Sequence, residues 1–79
     1  GLGLTYGKSG MYKEAIDMFK QAIRINPNDA ETHSNLGVAY LFLNDRGSAL
    51  EQYKILKSLD SERANKLFNY IKQYTTSSK

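Results

Sequence analysis

Apolar residues recur at helical spacing in four stretches of the chain. Residues 11–25 place Ala15, Ile16, Phe19, Ala22 and Ile23 on one face, the i, i+3, i+4, i+7 pattern of an amphipathic helix. Residues 30–43 do so with His33, Leu36, Gly37, Tyr40 and Leu43. Residues 46–58 carry Ala49, Leu50, Tyr53 and Leu56, and residues 62–74 carry Ala64, Leu67, Ile71 and Tyr74. Polar punctuation separates the stretches. Asn26-Pro27-Asn28-Asp29 reads as an N-cap, a proline at the first helical position and acid in the first turn. Asp60-Ser61-Glu62 is a similar start without the proline. Gly10 and Asn44 stand in equivalent places after a helix, where a left-handed residue closes the C-terminus. Residues 1–9 hold three glycines and read as the tail of a helix, and Thr75 to Lys79 as a frayed, disordered tail. The expected order is a partial helix and then four helices joined by short turns.

One feature resists this pattern. Gly37 falls in the middle of a helix, in Asn35-Leu36-Gly37-Val38-Ala39-Tyr40, where glycine costs about 1 kcal/mol against alanine. The chain opens on a near copy, Leu2-Gly3-Leu4-Thr5-Tyr6. Adding 34 to the numbering superposes the first copy on the second. The same shift carries Ala15 to Ala49, Lys20 to Lys54, Ala30 to Ala64 and Asn35 to Asn69, and pairs Ile16 with Leu50 and Phe19 with Tyr53. Tyrosine recurs at 6, 40 and 74. Small and aromatic residues in one frame across three copies mark an internal repeat.

That period, with Leu-Gly-x-x-Tyr, then Ala, then an aromatic, then Pro, resembles the tetratricopeptide (TPR) family. Residues 30–63 carry Leu36, Gly37, Tyr40, Ala49 and Tyr53 at the family's spacing. The preceding copy carries Leu2, Gly3, Tyr6, Ala15, Phe19, Ala22 and Pro27. Three positions depart from the pattern: His33 stands where Trp is common, Leu56 where a small residue like Ala22 is expected, and Ser61 where Pro27 has its counterpart. The resemblance implies an all-α fold, an antiparallel helix-hairpin repeat array of the α-solenoid kind with a C-terminal capping helix. Residues 1–29 would be a partial first repeat, 30–61 a full second repeat, 62–74 the cap and 75–79 the tail. It also accounts for the glycine. In the family this Gly faces an Ala of the partner helix, which implies Gly37 against Ala49 and Gly3 against Ala15. Ile71 replaces the glycine in the third copy, where no second helix follows. Most of the first repeat's leading helix is missing, so the chain is expected to be a piece of a longer array. Helix 11–25 then exposes an apolar face open to homodimerisation or helix exchange.

The family acts by non-catalytic protein–protein interaction, holding a peptide or helix in a concave groove. The corresponding groove positions are Leu4 and Lys8; then Glu31, Ser34, Asn35, Val38, Leu41 and Phe42; then Asn65, Phe68, Asn69 and Lys72. Val38, Leu41 and Phe42 lie off the core stripe, and binding would explain them. The family's carboxylate clamp converges Lys and Asn donors on a C-terminal carboxylate. Asn35 matches one of its positions, but Leu4, Asn65 and Asn69 replace an Asn and two basic residues, which argues against that clamp.

Composition narrows the alternatives. The 79 residues carry a net charge of +3 with both signs interspersed and no basic stripe, which argues against a nucleic-acid partner and an RNA-binding repeat. There is no cysteine and one histidine, so His33 reads as a packed, hydrogen-bonded residue, and no metal, cofactor or catalytic set is expected. Gly7-Lys8-Ser9 has the triplet of a phosphate loop but Leu2 stands where its leading glycine should be. The apolar run Val38 to Leu43 is too short to span a membrane.

Overall fold

The computed structural model describes the backbone of residues 2–77 and the side chains of residues 10–73. Every element in it is an α-helix: α1 (Leu2–Ile25), α2 (Ala30–Phe42), α3 (Arg46–Leu59) and α4 (Ser61–Ser77). Successive helices pack on each other, and α2 also packs on α4, so α2 has three neighbours.

Short polar segments set the turns. Asp29 caps α2: one carboxylate oxygen accepts from the Thr32 N–H at 3.4 Å and the other from the Thr32 hydroxyl at 2.8 Å. The cap is therefore Asp29 rather than Asn26, and Pro27 lies in the turn before the helix. Asp29 satisfies a donor three residues ahead, as an N-cap must. The end of α2 is closed by Asn44, whose φ of 65° is left-handed. Its N–H donates to the Leu41 carbonyl at 2.9 Å and the Asp45 N–H to the Tyr40 carbonyl at 2.8 Å, the paired bonds of a Schellman motif. Asp45 then caps α3 through the Ser48 N–H. Asp60 ends α3 and starts α4, accepting from the N–H groups of Glu62 and Arg63.

Gly10 departs from its expected role. It lies inside α1, which runs unbroken from Leu2 to Ile25 with no turn at residue 10. Two turns of helix folded back alone would gain little burial, whereas continuing the helix satisfies each backbone group. At the other end α4 continues to Ser77, beyond the expected limit at 74, because nothing from Tyr74 to Ser77 interrupts its hydrogen bonds. Residues 78 and 79 of the expected tail lie outside the described residues.

The core has two parts. The larger joins Leu41, Ala49, Leu56, Ala64, Leu67 and Ile71, all buried, between α2, α3 and α4. The smaller joins Ile16, Leu36 and Ala39 between α1 and α2, with Phe19, Ile23 and Leu43 half-buried around it. Tyr40 packs against both. The mid-helix glycine sits in the larger part. A Cβ at Gly37 would lie 2.6 Å from Leu67 Cδ2 and 3.4 Å from Gln52 Cβ. Its closest partner is thus Leu67 on α4, with Gln52 on α3 next, and Ala49 is not among the nearest atoms. The helix-propensity loss is offset because two helices reach α2 at one place.

Candidate partner-binding site

With three helices against it, α2 keeps only part of its surface for a partner. Phe42, at its C-terminal end, stays 45% exposed. Its ring stacks on Tyr12 of α1 with centroids 4.8 Å apart and planes 17° from parallel. Below this pair opens a crevice of about 250 Å³ between α1 and α2. Tyr12, Ala15 and Phe19 form one wall; Asn35, Val38, Ala39 and Phe42 form the other. Apolar groups dominate, and Asn35 brings an amide that donates and accepts. Such a recess takes an apolar side chain while its amide holds a neighbouring peptide group.

Around α4, Asn65, Phe68, Asn69 and Lys72 are all exposed. Phe68 stacks on Tyr53 of α3 at 5.1 Å. The Lys72 ammonium lies 5.5 Å from the Phe68 ring centre and the Lys57 ammonium 5.6 Å from that of Tyr53. This pairs an aromatic surface with two positive charges.

The remaining expected groove residues divide. Glu31 is exposed and Ser34 half-buried on α2, while the side chains of Leu4 and Lys8 lie outside the described residues. Leu41 is not a groove residue: it is 5% exposed and belongs to the larger core. A helix covered on two sides buries residues off its main stripe, and α4 covers that side of α2. Val38 also packs against that core while lining the crevice. Tyr12 was not among the expected groove residues, although its spacing to Ala15 and Phe19, three and seven residues on, puts all three on one helical face.

Of the expected repeat-packing residues, Leu36, Gly37 and Ala49 are buried, and Ala15, Phe19, Ala22, Tyr40 and Tyr53 are half-buried. Pro27 is exposed, and the side chains of Leu2, Gly3 and Tyr6 lie outside the described residues. Buried His33 ties three segments together. Its Nε2–H donates to the Pro27 carbonyl at 2.8 Å, and its Nδ1 faces the Gln52 side-chain amide at 2.7 Å. It is a packed residue with both ring nitrogens engaged. Nearby, hydrogen bonds from the Thr32 hydroxyl and then from its N–H hold the Asp29 carboxyl below the ordinary carboxylate range. Among the described residues no three His, Asp or Glu side chains gather as metal ligands, and no helix is long and apolar enough to cross a membrane.

Comparison with known proteins adds the following. A family model described as TPR repeat matches residues 3–44. BBSome complex member BBS4 of Xenopus tropicalis is 40% identical over 50 residues, 63% of this chain and 10% of that protein. Cellulose synthase operon protein C of Escherichia coli K12 is 38% identical over 63 residues, 80% of this chain and 5% of that protein. Protein O-mannosyl-transferase F38B6.6 of Caenorhabditis elegans is 33% identical over 61 residues, 77% of this chain and 9% of that protein. The chain therefore spans a tenth or less of the length of these curated relatives. No solved structure gives a significant match.

Proposed function

The chain belongs to the tetratricopeptide-repeat family, whose repeats are generally protein–protein interaction modules, and from that premise we propose that it holds an apolar segment of a partner protein, extended or helical, along the exposed faces of α2 and α4. In this reading residues 1–29 are a partial repeat, 30–61 a full repeat, and α4 the cap that gives the stack a polar outer face. The observation that supports it most is the crevice under Phe42, an apolar recess with the Asn35 amide in its wall. Phe68 and Lys72 extend the surface on α4, one repeat after Ser34 and Val38. A segment with an apolar anchor followed by a carboxylate fits both parts. No reaction is assigned to these residues: one relative is named a transferase, and the match spans 9% of it.

Panning a random peptide library against the chain tests this reading. Selected peptides should share an apolar anchor with acidic neighbours. Phe42→Ser and Phe68→Ser should each weaken their binding about tenfold or more with helical circular dichroism unchanged. Binding indifferent to both substitutions would place the site elsewhere.

A second reading is self-association through α1, favoured by a specific contrast. Met18 is 69% exposed and Ala15 half-buried, whereas Gln52 and Ala49, their counterparts one repeat on, are half-buried and fully buried. This reading makes α1 an uncovered seat.

A further inference from the structure

We infer that the junction of α3 and α4 receives an extended acidic segment of a partner protein, with a carboxylate two residues to either side of one apolar residue. The inference rests on the partner-binding reading and adds to it a second contact, on α3, and the charge and spacing of what is held.

The junction presents a row of four groups. Tyr53 and Phe68 stack with 5.1 Å between ring centres; the Lys57 ammonium lies over the first ring at 5.6 Å and the Lys72 ammonium over the second at 5.5 Å. Phe68 is 38% exposed, and both lysines are exposed. Packing of the repeat does not require this row. One repeat earlier the same positions hold Phe19, Ile23, Ser34 and Val38, with no second ring and no charge. Both helices lie against α2 and against each other, so the row sits where three helices pack.

Charge names the occupant. From Arg46 on, the chain carries seven Lys and Arg against three Asp and Glu, and up to Asp45 four against five. The net positive charge therefore belongs to the α3–α4 half and draws anionic segments to it. Glu51 is held by Lys54 at 3.8 Å and Asp60 by Arg63 at 3.3 Å, while Lys57 has no carboxylate partner among the described residues. The rings restrain both ammonium groups of the row, which lowers the ordering cost of binding. In an extended segment the side chains at i, i+2 and i+4 share one face and span ~13 Å. The outer two, as Glu or Asp, then meet the lysines, and the apolar middle one covers the exposed part of Phe68. A nucleic-acid strand fits less well. Its bases stack on open ring faces, and here each ring has the other ring against it and an ammonium over it.

NMR titration of the isotope-labelled chain with the peptide Ser-Glu-Ser-Leu-Ser-Glu-Ser, acetylated and amidated at its ends, tests the assignment. Shifts should concentrate around Tyr53, Lys57, Phe68 and Lys72, and affinity should fall as salt rises. Lys57→Gln and Lys72→Gln, both at exposed positions, should each weaken binding about threefold, and the two together about tenfold. The same peptide with Gln for both Glu should bind about tenfold more weakly. Equal binding of the Gln peptide, or shifts confined to the crevice under Phe42, would overturn this inference and leave the broader reading standing. So would a failure of this peptide to bind where library-selected peptides do. Tighter binding of a short oligouridine at the same lysines would overturn it in favour of nucleic acid. Binding by neither this peptide nor any library-selected one would overturn both readings.

Discussion

The helices α1 and α3 are written in one register, yet they differ in what covers them. Ala15 and Ala49 are the same residue one repeat apart, and Phe19 and Tyr53 are both aromatic. Ala49 is completely buried because α2 and α4 both reach the face it lies on; Ala15 is half-buried because, among the described residues, α2 alone packs on α1. Burial in such a stack is therefore decided by the neighbouring helix and only secondarily by the residue. Leu56 follows the same logic. It replaces the small residue found at Ala22, and it is fully buried among Ala64, Leu67 and Ile71, where a larger side chain fills the layer between α3 and α4.

The largest expected effect comes from exchanging sizes between these two positions. Leu56→Ala should cost about 3 kcal/mol in urea denaturation, since it opens a cavity in the larger core. Ala22→Leu, on the half-open face, should change stability by less than about 1 kcal/mol. Equal costs would mean that α1 is covered as fully as α3. Next come the two helical glycines. Gly37→Ala should destabilise by about 1–2 kcal/mol, because its methyl meets the buried Leu67 side chain at 2.6 Å. Gly10→Ala, with open space around it, should stabilise dilute monomer by up to about 1 kcal/mol through helix propensity. Combining Gly37→Ala with Leu67→Ala should cost less than the sum of the two alone.

The smallest effect is acid sensitivity at the joint between α1 and α2. The folded-state carboxyl of Asp29 is depressed by its bonds to Thr32. Its contribution is thus fully present above the ordinary carboxylate range and is lost as pH falls through the depressed folded value. Asp29→Asn keeps a capping oxygen and removes the titration, so its stability should fall less steeply on acidification. An unchanged slope would assign the acid loss to other carboxylates.

The comparison also shows what could be read from the residues. The register of the helices was legible because Leu36, Gly37, Tyr40, Ala49 and Tyr53 repeat features of the first copy, and local spacing reports the face a helix buries; their number was not, since the expected partial helix and the one after it form a single α1. The left-handed Asn44 was legible from its place after a helix. Gly10 has the same place and a different outcome, since a chain reverses only where the reversed segment finds something to pack on. Leu41 was misplaced because α2 buries two faces, and one apolar stripe cannot describe that. Leu67 as the partner of Gly37 was hidden for a related reason: the contact joins one repeat to the helix after it, thirty positions along. On the candidate surface, Asn35, Val38 and Phe42 do line the crevice. Tyr12 and Phe19 complete it from the other side, a juxtaposition that depends on how α1 and α2 cross.

Amide hydrogen exchange of dilute, monomeric chain tests the contrast between the covered and uncovered helices most directly, because protection follows local opening free energy. The slowest amides should lie in α3 and α4, around Ala49 to Leu56 and Ala64 to Ile71, with residues 10–22 of α1 exchanging well before them. Protection in α1 equal to or greater than that in α3 would contradict the account.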